Sequence, residues 1–388
     1  MEVEKTATEI KDLPEDIVFN ILLRLSAQTI HNLRYVFNFW SSIITSSCFH
    51  DAHFRGSKHG LLLSRKKDEE IKSKKRKQQQ PLFDTNIINT NNKEELITMR
   101  EFTAASGDIL ATCNGLVLFG DEKGETELFV ANPATKDLLK LPAHKSGSSS
   151  CLDHIFGMTY IESVREYKVI HCFIDLVNRS TKNNYCEILT LGCDSWKRVD
   201  KFPVRLLQWS SRKFTFINDV AHCLALEDGC EGCLVSFDMI NEKFHTTIVP
   251  VRLSKIDELL EIEGFPALVS HNKSKKANGC RFWIWLLKDY YKGNWVRLRK
   301  IGLGGRNEHV SSVTTSQHGT RIIFLQYDGT SKYYSYIGYD VQLNQKRYLN
   351  FRQKIPSASM LPHSESLLSC SNFIAEPYTE TCKRRKLH

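Results

Sequence analysis

The chain has 388 residues, 41% hydrophobic and 25% charged, with a net charge of +9. That balance is ordinary for a soluble globular protein, and the length asks for more than one folding unit. No run of about 18 apolar residues occurs and the N-terminus, MEVEKTATEI, is polar, so no membrane span or secretory signal is expected and the protein is placed inside the cell. The 12 cysteines are scattered rather than framed and read as buried or idle thiols in a reducing compartment.

Asp12 to Phe54 carries more apolar surface than so short a stretch buries by itself. A helix is expected from Pro14 to Leu25, with Pro14 at its first position and Glu15 and Asp16 against the positive end of the dipole. Ile17, Ile21, Leu22 and Leu25 form one apolar stripe, and Val18, Phe19 and Leu23 widen it to two sides. Ser26 or Thr29 caps a second helix carrying Ile30, Leu33, Val36 and Phe37; a third, short one holds Trp40, Ile43 and Ile44. The surplus is covered either by the rest of the chain or by a partner protein. Leu13, Pro14, Asp16, Ile17, Ile21, Leu22, Arg24, Leu25, Leu33, Arg34, Val36 and Trp40 fall in order on the pattern of the F-box, which this stretch resembles. Ser26, Phe37 and Asn38 depart from it, standing where a proline, a cysteine and a basic residue are usual. The resemblance implies docking onto a Skp-type adaptor, and through it a cullin ubiquitin ligase, by Leu13, Pro14, Ile17, Ile21, Leu22, Leu25, Leu33, Val36 and Trp40.

Arg65 to Lys77 holds eight basic against three acidic residues, and KRRK at 383–386 adds four more, which together make up the whole charge excess. The first run leads into Gln78, Gln79 and Gln80 without apolar periodicity and reads as a solvated linker. Lys74, Lys75, Arg76 and Lys77, and Lys383, Arg384, Arg385 and Lys386, are nuclear-import candidates, which puts the protein in the nucleus, the cytoplasm or both. No helix-turn-helix, zinc finger or aromatic RNA platform accompanies them, and nucleic acid is not an expected partner.

From about residue 105 short alternating strands dominate: DILATC, GLVLFG, ELFVAN, DLLKL. Strand–turn–strand units turn near Asn132, Gly192, Asp238, Lys288 and Asp340, at steps of 60, 46, 50 and 52 residues. Those steps are near the roughly 40–50 residues of a four-stranded propeller blade, giving five or six irregular blades, with a large β-sandwich as the alternative. A strand from SLLSCSNFIAE is expected to pair with the first blade. Cys113-Asn114-Gly115-Leu116, Asn132-Pro133-Ala134-Thr135, Leu141-Pro142, Phe156-Gly157, Asp194-Ser195-Trp196, Phe237-Asp238 and the Trp283 to Trp295 segment resemble the F-box-associated domain of plant F-box proteins, a kelch-like relative. Asn218-Asp219 replaces that family's Asn-Gly turn, and Cys223 stands where tryptophan is common. Trp196, Phe244 and Trp295 are read as scaffold packing between sheets.

The expected fold is therefore α+β by segment: a small three-helix F-box at 9–54, a basic flexible linker with a possible first strand at 55–104, an all-β propeller-like domain at 105–376 and a basic tail at 377–388. Catalytic motifs are missing. Cys230-x-x-Cys233 has no second pair, Cys48, His50 and His53 lack further ligands, and no GxSxG, GxxxxGK or HExxH occurs. Neither a cofactor nor a resident metal is expected, and the protein is not read as an enzyme. The resemblances imply a substrate-recognition subunit that holds an unidentified target protein. The alternatives are a protein- or glycan-binding propeller with a degenerate F-box and no ligase role, and a propeller hydrolase or lyase, for which no residue set is apparent. Lys145 to Asp153, Asn178 to Asn184 and His271 to Gly279, long polar stretches between strands, are the candidate target contacts.

Overall fold

The computed structural model describes residues 13–35, 38–57, 59–64, 83–89, 96–102, 108–120, 127–144, 151–177, 181–199, 206–210, 213–227, 232–254, 256–272, 280–303, 308–316, 321–353 and 359–373. Four helices come first: α1 (Glu15–Leu22), α2 (Ala27–Leu33), α3 (Asn38–Ile44) and α4 (Ser47–Gly56). α1 is shorter than expected. Pro14 sits one place before it, with φ −54° and ψ 144°, and lends its carbonyl to the N–H groups of Ile17 and Val18. Ser26 caps α2 by accepting from Thr29 N, and Ser46 caps α4 by accepting from Phe49 N. α4 is the helix that was not expected: only Phe49 and His53 on it are buried, too thin a stripe to read as helical periodicity.

The strands build six sheets among the described residues. Blade 1 holds β1 (His59–Ser64), β2 (Phe83–Asn89) and β3 (Leu96–Phe102), and blade 2 runs β4 (Asp108–Cys113), β5 (Leu116–Gly120), β6 (Phe129–Asn132) and β7 (Asp137–Lys140). Blade 3 runs β8 (Cys151–Ile161), β9 (Glu166–Val177), β10 (Thr181–Thr190) and β11 (Lys197–Val199). Blade 4 has β12 (Leu206–Trp209) and β13 (Thr215–Ile217), both on β14 (Val220–Glu227), then β15 (Cys233–Asp238) and β16 (Lys243–Ile248). Blade 5 runs β17 (Glu258–Ile262), β18 (Phe265–His271), β19 (Cys280–Asp289) and β20 (Asn294–Leu303); blade 6 runs β21 (Glu308–Thr315), β22 (Arg321–Asp328), β23 (Tyr333–Asp340) and β24 (Gln345–Gln353). The last strand, β25 (Ser359–Ser364), returns to blade 1 and pairs antiparallel with β1 from His59↔Ser364 to Ser64↔Ser359.

That return closes a propeller. Each innermost strand touches the next, and β21 touches β25. Every seam between neighbouring blades has its own apolar cluster, including the closing one, where Leu61 and Met360 of blade 1 pack on Ile323, Leu325 and Tyr336 of blade 6. The two faces of β1 divide accordingly, Leu61 toward blade 6 and Leu62 toward blade 2.

Two sequence expectations are corrected here. Residues 55–104 are not a linker with one possible strand: they supply three strands of blade 1, and α4 ends at Gly56, only Ser57 and Lys58 from β1. The basic run at 65–77 lies in sequence between β1 and β2 of one blade, not between two domains, and itself falls outside the described residues. The closing strand is β25, not SLLSCSNFIAE. The carbonyls of Ser366 and Leu368 are taken by the Asn132 side chain, and Cys370–Phe373 forms a 3-10 turn instead of a strand.

The repeat seen in the sequence is the turn between the third and fourth strands of blades 2 to 6. Asn132, Asp238, Asp289 and Asp340 each accept a hydrogen bond from a backbone N–H two or three residues on. In three of these turns a non-glycine residue four places on takes positive φ: Lys136 at 60°, Glu242 at 55° and Asn344 at 55°. Asn218 and Asp219, at φ 49° and 61°, form the same two-residue turn as Asn114-Gly115, at 47° and 81°, so that departure from the family pattern leaves the hairpin intact.

Candidate interaction sites

The first and third strands of each blade run the same way, so the turns between strands one and two and between three and four share one end of the ring. The second-to-third turns and the connections between blades share the other. The helices sit at the first end. Val18, Leu22, Ala27, Ile30, Ile43, Ile44 and Phe49 form a cluster with Ala134, from the β6–β7 turn, and Leu367, from the segment after β25. Phe19 meets Phe49 edge to face at 5.1 Å, and His53 Nε2 lies 2.9 Å from Leu25 O.

Polar contacts lock the same joint. Ala27 N donates to Glu365 Oε2 at 3.0 Å. Asn132, fully buried, donates from Nδ2 to Ser366 O at 3.0 Å and Leu368 O at 2.7 Å while its Oδ1 accepts from Ala134 N. Gly115 is required beneath it: a Cβ there would stand 2.8 Å from Ser366 N, and its φ is +81°.

The two apolar sides of α1 separate cleanly. Val18 and Leu22, 2% and 1% exposed, face the joint; Ile17 and Ile21, 45% and 48% exposed, face solvent beside the exposed Pro14. Leu13, Leu25, Leu33 and Trp40 are half-buried against the cluster, and Val36 lies outside the described residues. Leu22 is thus core, buried in the cluster of the four helices with Ala134 and Leu367, and is not available to a docking partner. The residues 74–77 and 383–386 also lie outside the described residues.

Of Lys145 to Asp153, Asn178 to Asn184 and His271 to Gly279, residues 145–150, 178–180 and 273–279 lie outside the described residues; the strands on either side of each stretch end on the side of the ring opposite the helices. Near the axis on the helix side, a cavity of about 230 Å³ is lined by residues that include Thr112, Asn114, Glu261, Thr315 and His363. Burial holds His363 down at about 4. The cavity falls below the roughly 300 Å³ of a typical small-molecule site.

Tryptophans staple the blades: Trp196 Nε1 donates to Pro142 O, from blade 3 to blade 2, and Trp295 Nε1 to Ile248 O, from blade 5 to blade 4. Of the candidate ligand groups, Cys230 lies outside the described residues, Cys48 is exposed and His53 is buried against a carbonyl. A different set converges in the seam between blades 2 and 3. Ligand atoms of His144, His171 and Glu187 all lie within 4.8 Å of one another, with His171 and Glu187 buried. His171 Nδ1 is 3.0 Å from Glu187 Oε1, and its Nε2 is 3.0 Å from His154 Nδ1. Burial first, then His144 and His154, holds the His171 imidazole well below its ordinary value. Sequence reading missed these four because cross-strand pairing and a neighbouring blade bring them together, while the chain separates them by 10 to 43 positions.

The F-box domain family matches residues 10–51, and the F-box associated beta propeller domain family matches residues 60–373. A putative F-box protein of Arabidopsis thaliana is 28% identical over 294 residues, covering 72% of this chain and 71% of its own. Another F-box protein from the same organism is 25% identical over 325 residues, covering 76% and 73%. Among solved structures, TolB from Acinetobacter baumannii superposes with a TM-score of 0.47 at 12% identity, over 83% of this chain and 72% of its own. The helical joint, the six closed blades and the two family matches lead to one assignment: this chain belongs to the F-box associated beta propeller domain family and carries an F-box domain ahead of its propeller.

Proposed function

We propose that the protein is the substrate-recognition subunit of an SCF-type (Skp–cullin–F-box) ubiquitin ligase, with no bond-making step of its own. Its F-box docks on a Skp-type adaptor through Pro14, Ile17 and Ile21, flanked by Leu13, Leu25, Leu33 and Trp40, and the far end of the propeller holds a target protein. The observation that carries this reading is the outward stripe of α1: two isoleucines a helical turn apart stay half exposed although Val18 and Leu22 on the opposite side of the same helix are buried in the F-box core. Apolar anchors of this kind form interface cores.

The joint supports the same reading. A two-residue connection, an apolar cluster and the hydrogen bonds of Asn132 and Glu365 make the F-box and the ring one body, so adaptor and target are held at fixed separation. Holding a lysine-bearing target near a charged conjugating enzyme raises its effective concentration. The basic clusters at 74–77 and 383–386 act in nuclear import, and the protein works in the nucleus, the cytoplasm or both. Among the described residues no helix is long and apolar enough to cross a membrane.

Co-purification of the full chain with a Skp-type adaptor tests the proposal. Ile17→Glu with Ile21→Glu abolishes capture while the thermal midpoint stays within a few degrees of the parent. Undiminished capture by that variant, or none by the parent, would sink the ligase reading in favour of a propeller that binds without a ligase.

A further inference from the structure

We propose that His144, His171 and Glu187 bind one divalent transition-metal ion of the zinc class in the seam between blades 2 and 3, with His154 as the positioning residue behind His171. Two imidazoles and a carboxylate are the donor set that suits such an ion, at bond lengths of about 2.0–2.2 Å. Ligands of a tetrahedral site at those lengths stand about 3.3 Å apart. The 3.0 Å pair of His171 Nδ1 and Glu187 Oε1 is already near that spacing, and the widest separation in the set, 4.8 Å, closes by movement of one side chain. The side chain that would move is His144, half-buried after β7 and edge-on to His171 at 4.8 Å and to Trp196 at 6.3 Å, whereas His171 is buried and stacks on Phe156 at 4.2 Å and Phe173 at 4.9 Å.

The hydrogen bond on the other side of His171 fits an outer-sphere role. When Nε2–H donates to His154 Nδ1, the Nδ1 lone pair points at the Glu187 carboxylate, and a cation between them satisfies both. Such an ion ties the end of blade 2 to blade 3 directly before the Lys145 to Asp153 stretch. It leaves a fourth position open on the side of the half-buried His144.

The test uses the full chain, freed of metal with a chelator and titrated with Zn²⁺ and with Co²⁺. One equivalent is expected, with the Co²⁺ form showing the strong visible absorption of a four-coordinate site and Zn²⁺ raising the thermal midpoint. His144→Ala lowers affinity at least tenfold while the metal-free variant still unfolds cooperatively within a few degrees of the parent. His154→Phe keeps the ring stack but removes the acceptor, and weakens binding by about 10–100-fold. Cys48→Ala leaves binding unchanged. Failure to bind one equivalent, binding unaffected by His144→Ala, or binding lost on Cys48→Ala would each overturn the assignment.

Discussion

The Ala27 N–H donates to the Glu365 carboxylate at 3.0 Å across 338 residues of chain. Ala27 opens α2, where the N–H has no partner inside the helix, so a carboxylate from the far end of the sequence satisfies an orphan donor and the positive end of a dipole together. Asn132 then holds the residues on either side of Leu367, which enters the F-box core. The end of the chain both closes the propeller and seats the F-box on it.

Substitutions at this joint should rank by what they leave unpaired. Asn132→Ala strands two carbonyls and one N–H in the joint and is expected to cost about 2–3 kcal/mol, whereas Glu365→Ala removes the partner of a single helix N–H and costs about 1 kcal/mol. Chemical denaturation of the two variants checks the order, and a larger loss for Glu365→Ala would contradict the account.

The two sides of α1 should respond oppositely. Leu22→Ala opens a cavity in the F-box core and is expected to cost about 2–5 kcal/mol. Ile17→Ala, on the exposed side, should cost under about 1 kcal/mol and show its effect in adaptor binding. Thermal unfolding alongside pull-down separates the two.

Stability should fall with acid. Burial lowers both His222 and His363 to about 4, below the 6.5 of an unfolded histidine. Below pH 6.5 the unfolded chain takes up protons that the folded chain refuses, so this stability is complete above pH 6.5 and drains away as pH falls toward 4. Two such groups give a slope of up to about 3 kcal/mol per pH unit within that window. His222→Gln with His363→Gln should flatten the profile of unfolding free energy between pH 6.5 and 5.

A gain is expected at the β22–β23 turn. Lys332 is exposed at φ 60°, and its N–H donates to Asp328 O. Glycine keeps that bond and removes the Cβ penalty of the left-handed conformation, so Lys332→Gly should raise stability by about 1 kcal/mol. A drop in the thermal midpoint would count against the turn geometry.

Legibility varied along the chain for definite reasons. The turns at Asn132, Asp238 and Asp340 were readable because an Asx side chain and a hairpin leave the same local mark in each blade. Blade 1 was not, because its innermost strand comes from residues 359–364 and the rest is split by a highly charged connection. The apolar surplus of α1 was visible as a surplus, but nothing local shows which side is buried against the other helices.

By itself the sequence determined the two modules, their order and the repeating hairpins, since helical stripes, caps and turn residues act over a few positions. Tertiary structure decided that blade 1 is closed by the last strand, that Leu22 is core while Ile17 and Ile21 are surface, and that four residues from His144 to Glu187 meet in one seam. Each of these depends on contacts between positions far apart in the chain, and their partners are fixed only once the ring has closed.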